Sequence, residues 1–188
     1  LGWVLRHQGK IDHAATVFRT AVDGIGQSDG TPEGRPYSLA EALNGLAVAL
    51  QAQGDNTGAR NAFERALGPY RTLGRSGSVE DLTILARFLS NYGAFLHERQ
   101  ETQRSAALYE ESIAICRKLL SRSPMLVRDV LIQSLNNYGY LMAENHSYAT
   151  ASKAYLEATV HLGTAIQEGL AEERIGLART LLNSGLLQ

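Results

Sequence analysis

Small and apolar residues recur along the chain three and four residues apart, with polar residues between them. This spacing places the apolar side chains on one face of a helix. The residues that show it best are Leu89, Tyr92, Gly93 and Leu96 in a first helix, helix A, and Ser105, Tyr109, Ser112 and Ile113 in a second, helix B. A polar turn at residues 99–102 separates the two helices. Alternation with a period of two, which is typical of strands, is absent, so the sequence predicts an all-α fold.

The same helix pair returns at a fixed interval. A column of small residues, 46 positions apart, consists of Ala47, Gly93, Gly139 and Gly185. A column of aromatic residues, spaced by 45, 46 and 46, consists of Phe18, Phe63, Tyr109 and Tyr155. In such an array each unit buries its apolar face only against its neighbours. The sequence therefore predicts one right-handed α-solenoid of antiparallel helix pairs, truncated at both ends, with units at about 1–26, 36–74, 79–122, 124–169 and 171–188.

Two segments are predicted to interrupt the helices. Residues 26–36 are rich in glycine and proline, which favours a connecting loop between the first two units. Gly68 and Pro69 fall inside helix B of the second unit. Because proline lacks the backbone N–H and clashes with the preceding turn, we expect a kink or a break there.

Leucine, small and aromatic positions follow one another in a fixed order. The residues are Leu1, Gly2, Leu5, Gly9, Ile11, Ala14, Phe18 and Ala21 in the first unit, and Leu46, Ala47, Leu50, Gly54, Ala59, Phe63 and Ala66 in the second. This order resembles the tetratricopeptide repeat, whose usual length is about 34 residues, so each unit here is about 12 residues longer. In later units Gln100 and His146 stand where the pattern has a turn glycine.

Longer helices of this kind are similar to the repeats of kinesin light chains and of bacterial signalling proteins whose arrays follow an ATPase core. The resemblance implies that the chain binds peptides or partner proteins. A phosphate-binding loop of the form Gly-x-x-x-x-Gly-Lys-Ser/Thr is absent from the 188 residues, so we expect no nucleotide cofactor in this chain.

Composition narrows the classes of partner. The 188 residues carry a formal net charge of −1, so we do not expect nucleic acid as a partner. No stretch approaches the roughly 18 apolar residues of a membrane span, and no secretory signal opens the chain. The single cysteine, Cys116, is expected to be a buried thiol and fits a cytoplasmic location. Because the chain does not begin with Met, we expect a piece of a longer protein.

A column of asparagines is the first candidate binding site. Asn91, Asn137 and Asn183 lie 46 residues apart on successive A helices, and Asn44 and Asn136 lie beside this column. In tetratricopeptide arrays the A helices line the concave groove. An exposed amide offers one acceptor and two donors, enough to bind the main chain of an extended peptide. The alternative interpretation is that these amides bond to neighbouring helices or to water.

Four further residues are candidates for side-chain recognition. Arg87 and Arg179 share one groove position two units apart, and a guanidinium suits a carboxylate, although a solvated surface is the alternative. His97 and Tyr140 neighbour the asparagine column and are expected to add specificity.

A catalytic or metal site is not expected. Glu98 and Glu144 lie 46 residues apart with His97 beside the first, but no second histidine occupies the matching place. The sequence therefore predicts no catalytic, metal-binding or cofactor-binding residue.

The function predicted from the sequence is that of a non-enzymatic interaction module with a peptide or partner protein in its concave groove. Two alternatives stay open: a regulatory sensor array of a larger bacterial signalling protein, and, more remotely, a helical-repeat enzyme. Because both ends of the array lack a covering neighbour, self-association through these ends is a further expectation.

Overall fold

The described part of the chain consists of α-helices joined by short turns. A computed structural model describes residues 1–27, 35–168, 180 and 183, and within these ranges it contains no strand. The helices are α1 Gly2–His7, α2 Ile11–Gln27, α3 Arg35–Ala52, α4 Asn56–Gly74, α5 Val79–His97, α6 Thr102–Leu120, α7 Pro124–Glu144 and α8 Tyr148–Gln167. Odd-numbered helices are the predicted A helices and even-numbered ones the B helices. The all-α solenoid is thus confirmed, while most of the predicted loop 26–36 and of the last helix lies outside the described residues.

Two compact parts make up the chain, residues 1–81 and residues 82–188. In the first part the Phe18 ring lies against the backbone of Gly2 and Gly45, in the space that a side chain at either position would fill. A Cβ added at Gly45 would lie 2.3 Å from this ring, and one added at Gly2 would lie 2.6 Å from it. Glu41 joins two aromatic side chains, because its carboxylate accepts from Tyr70 Oη at 3.1 Å and from Trp3 Nε1 at 3.3 Å.

In residues 82–188 the two predicted columns pack against each other. A Cβ added at Gly93 would lie 3.0 Å from the Tyr109 ring, and one added at Gly139 would lie 2.8 Å from the Tyr155 ring. The glycines thus let an aromatic side chain approach the A-helix backbone. Both rings are buried, so they form the centre of their unit's core.

Buried serines add directional bonds between these helices. Ser105 Oγ donates to the Gly93 carbonyl at 2.8 Å. Ser112 Oγ donates to the Ala86 carbonyl at 2.7 Å and lies 2.9 Å from Ser134 Oγ. Serine at the first two of these positions replaces the alanine of the earlier units, and each hydroxyl is satisfied although it is fully buried.

The turns between A and B helices keep one backbone geometry even where glycine is replaced. Gly9 and Gly54 have φ of 74° and 81°, and Gln100 and His146 adopt the same left-handed region with φ of 60° and 58°. The Glu101 N–H donates to the Leu96 carbonyl at 3.0 Å, five residues back, which is the 6→1 bond of a Schellman motif at a helix C-terminus. A non-glycine residue in this region costs about 1–2 kcal/mol, so these two turns are strained.

Of the kink or break expected at Pro69, the break is wrong. Helix α4 runs from Asn56 to Gly74 with Pro69 inside it. The preceding residue, Gly68, has no Cβ to clash with the proline ring, and this removes part of the usual barrier to the helical conformation. Tyr70, which follows, is 1% exposed and anchors this turn in the core.

Candidate functional site

Three of the sequence-predicted site residues meet in one cavity within residues 82–188. The cavity has a volume of about 460 Å³. Its lining residues are Ala94, His97 and Glu98 from α5, Gln100 from the following turn, Tyr109 from α6, and Asn137, Tyr140 and Glu144 from α7. We call it the His97 cavity. The ends of two A helices and the aromatic residue of the intervening B helix therefore form its wall.

A histidine–carboxylate pair joins the two A helices at this cavity. His97 Nε2 lies 2.5 Å from Glu144 Oε2, and the rings of His97 and Tyr140 are 5.5 Å apart. Hydrogen bonds from His97 and, second, from Tyr140 hold the pKa of Glu144 below its ordinary value. The Tyr140 ring remains 51% exposed, so it offers an aromatic face to a ligand.

Tyr109 contributes a hydroxyl that sequence analysis did not single out. The residue is fully buried, and its Oη has no hydrogen-bond partner within the described part of the chain. Burial raises the pKa of Tyr109, an interaction with the Ser105 hydroxyl lowers it in part, and the Glu98 carboxylate raises it further, although Ser105 Oγ donates its own hydrogen bond to the Gly93 carbonyl and not to Tyr109. Phe18 and Phe63 occupy the same column in the first two units. The change from phenylalanine to tyrosine was the sequence signal for this group.

The asparagine column divides into two groups. Asn91, Asn137 and Asn183 are half-buried, so part of each amide reaches the surface. Asn44 is only 7% exposed, which contradicts the expectation of an exposed amide at this position. Asn136 Oδ1 accepts from Thr180 Oγ1 at 3.0 Å. Asn136 thus favours the alternative interpretation, in which the amide bonds to another part of the chain, whereas the buried Asn44 Oδ1 has no hydrogen-bond partner among the described residues.

The predicted basic position does not belong to the His97 cavity. Burial, opposed in part by the charge of the exposed Arg87, raises the pKa of Cys116 to about 12. Arg179 lies outside the described residues. The carboxylates Glu98 and Glu144 both line the cavity but have different partners, because Arg99 Nη1 donates to Glu98 Oε2 at 2.7 Å whereas Glu144 pairs with His97. Among the described residues no group of three or more side chains is arranged to hold a metal ion.

A second cavity of about 310 Å³ lies between α6, α7 and α8. Four of its polar side chains bond in two pairs. Arg117 donates to both carboxylate oxygens of Glu157, at 2.9 and 2.5 Å, and Tyr138 Oη donates to Glu110 at 2.6 Å. Because these partners satisfy each other, this cavity is a weaker candidate than the His97 cavity.

Repeated helix pairs, repeated turns and the two packing columns define a helical-repeat protein. A family model of the tetratricopeptide repeat matches residues 39–72 and 85–124. The structure of BtubC (BKLC) from P. vanneervenii is similar over 100% of this chain and 68% of that one, with a TM-score of 0.76 and 20% identity, which shows the fold. No curated protein matches the sequence. No described helix is both long and apolar enough to span a bilayer.

Proposed function

We propose that the chain is a non-catalytic module that binds a peptide or a segment of a partner protein along the A-helix face of residues 82–188. Tetratricopeptide repeats generally mediate interactions between proteins, which gives the broad class of function. The observation that carries the proposal is the His97 cavity, because it combines an exposed aromatic ring, a carboxylate and an amide on the face where the A helices of successive units lie side by side.

The asparagine column supplies the contacts to the peptide main chain in this proposal. Asn91 and Asn137 lie on successive A helices, and Asn137 also lines the His97 cavity. Each amide can donate to a peptide carbonyl and accept from a peptide N–H. Main-chain contacts fix the direction of an extended peptide, while the cavity selects a side chain.

The test uses a double substitution, Asn91→Ala with Asn137→Ala. Peptides that bind the 188-residue chain are first selected from a random 12-residue display library, and their affinity is measured by fluorescence anisotropy. We expect the double variant to weaken binding by about 1–3 kcal/mol, because polar groups of the peptide lose their partners. Helicity should not fall, since alanine is the better helix former.

Asn61→Ala is the matched control, because Asn61 is an exposed asparagine on the B helix α4. It should leave peptide binding unchanged. If the double variant binds the selected peptides normally but melts at a much lower temperature, the two amides are interhelical bonds and the proposal loses its main-chain contacts.

A further inference from the structure

The His97 cavity has the charge of a receptor for a cation. Two of its lining residues are the carboxylates Glu98 and Glu144, and none of its described lining residues is lysine or arginine. Glu98 has Arg99 as its partner, so Glu144 is the carboxylate with the lesser compensation. Its partners are the His97 imidazole and the Tyr140 hydroxyl, and neither carries the permanent charge of a guanidinium. Glu144 is also 47% exposed and therefore accessible from solvent.

The Tyr109 hydroxyl is an independent sign of a ligand. It is a buried polar atom without a partner in the described structure, whereas buried polar groups are ordinarily hydrogen-bonded. Packing does not require the oxygen, because Phe18 and Phe63 fill the same column without one. The residue lines the cavity, and the Glu98 carboxylate acts on it electrostatically. A ligand in the cavity would give this hydroxyl its missing partner.

We infer that the His97 cavity binds the guanidinium group of an arginine side chain of the partner peptide. This inference rests on the proposed function, because it names the side chain that the peptide inserts. A guanidinium carries five N–H donors in one plane, so it can serve acceptors that lie in different directions. Here those acceptors are the Glu144 carboxylate, the Asn137 amide oxygen and the Tyr109 hydroxyl. The exposed Tyr140 ring offers a face on which the planar group stacks.

Lysine fits this set of groups less well. Its ammonium group is a compact charge with three donors, and it has no planar face to stack on Tyr140. An acidic side chain would meet Glu98 and Glu144, and no lysine or arginine among the described lining residues offsets their charge. The preference expected for the cavity is therefore arginine above lysine, with glutamate excluded.

The first experiment uses small probes and the 188-residue chain. Nα-acetyl-arginine methylamide and its neutral citrulline counterpart, which has nearly the same shape, are titrated into the ¹⁵N-labelled protein and followed by NMR. We expect the arginine compound to shift the signals of His97, Asn137 and Tyr140, and to bind at least tenfold more tightly than the citrulline compound. Equal binding of the two compounds would overturn the inference.

Two substitutions separate the ligand role from a structural one. Glu144→Gln should weaken binding of the arginine compound at least fivefold. Tyr109→Phe should weaken it about threefold or more without lowering the melting temperature, because the hydroxyl gives up no protein bond. Tyr138→Phe is the matched control: it removes the bond to Glu110 in the other cavity, so it should lower the melting temperature and leave binding unchanged. If Tyr109→Phe melts lower and binds normally, its hydroxyl is structural and the inference is wrong.

The selected peptides distinguish this inference from the proposed function. Peptides that depend on Asn91 and Asn137 but show no enrichment of arginine, and that bind Glu144→Gln normally, would refute the arginine assignment and leave the peptide-binding function intact. Conversely, binding of the arginine compound together with no peptide that depends on the two asparagines would refute the peptide-binding function and retain the cation site.

Discussion

Replacing Gly139 by alanine tests the close approach between helix and aromatic ring in residues 82–188. The added methyl carbon would lie 2.8 Å from Tyr155 Cε1 and 3.0 Å from two further ring atoms. These distances are well below the roughly 3.5–4.0 Å at which carbon atoms pack. The Tyr155 ring is 1% exposed, so it has little free space into which to move. The substitution is therefore expected to displace a core side chain.

Two effects of opposite sign decide the outcome. Alanine in a helix interior is favoured over glycine by about 0.8–1.0 kcal/mol. Forcing an extra methyl group into a packed core costs about 1–3 kcal/mol. We therefore expect Gly139→Ala to lower the free energy of unfolding by about 1 kcal/mol.

Gly163→Ala provides the matched control, since Gly163 lies inside α8 and, among the described residues, no atom beyond its own helix backbone lies within 4 Å of its added Cβ. This variant experiences only the helix-propensity effect and should be more stable by about 1 kcal/mol. The two variants should thus differ by about 2 kcal/mol, or about 4–8 °C in melting temperature for a chain of this size.

Urea unfolding followed by circular dichroism at 222 nm measures both variants, and equal m-values are needed for the comparison. Ala47 stands in the same column as Gly139 and is fully buried, so the second unit already accommodates a Cβ at the position that Gly139→Ala tests. If Gly139→Ala is as stabilising as Gly163→Ala, the Tyr155 ring yields freely and the close-approach argument is incorrect.

Three further predictions concern a turn, a thiol and a histidine. Gln100→Gly should raise the free energy of unfolding by about 1 kcal/mol in urea titrations, because it relieves the left-handed strain at φ 60°; no gain would mean an unstrained turn. Cys116 is fully buried and its pKa is raised to about 12, so iodoacetamide at pH 8 should react only as the protein unfolds, and rapid native labelling would contradict this. Burial, opposed by Glu157, lowers the pKa of His161 below its ordinary 6.5, so the unfolded state takes up the proton first. Stability should therefore fall as the pH drops below about 6.5, and His161→Gln should reduce this slope between pH 7 and 5.5; an unchanged slope would exclude His161 as its source.

Sequence periodicity was sufficient for the helix pairs because it reports which side chains face the core. The contact of Gly93 with Tyr109 and that of Gly139 with Tyr155 follow directly from the two columns. The helix is not broken at Pro69, because the local propensity of proline is offset by the absence of a Cβ at Gly68 and by the buried Tyr70 beside it.

The composition of the His97 cavity was only partly predictable. His97, Asn137 and Tyr140 were named from their place on the A helices, but the contact between His97 and Glu144 depends on how two neighbouring helices are rotated. These two residues lie 47 positions apart, one more than the repeat, so no column connects them. The burial of Asn44 also depends on helix rotation. An amide next to the apolar face of a helix is buried or exposed according to how that helix is turned about its axis, and the sequence does not specify this angle.

The buried serines have a mechanical consequence. Apolar side chains have no directional bonds, and a helix that slid by one turn would regain much of its contact area. Ser105 and Ser112 are different, because each hydroxyl is bonded to one particular carbonyl oxygen on α5. Sliding would separate these hydroxyls from their carbonyl acceptors in a dry interior, which is unfavourable for each hydroxyl. A load applied along the helix axes of α5 and α6 should therefore meet stiff resistance to shear, and the two helices should yield by peeling apart from an end.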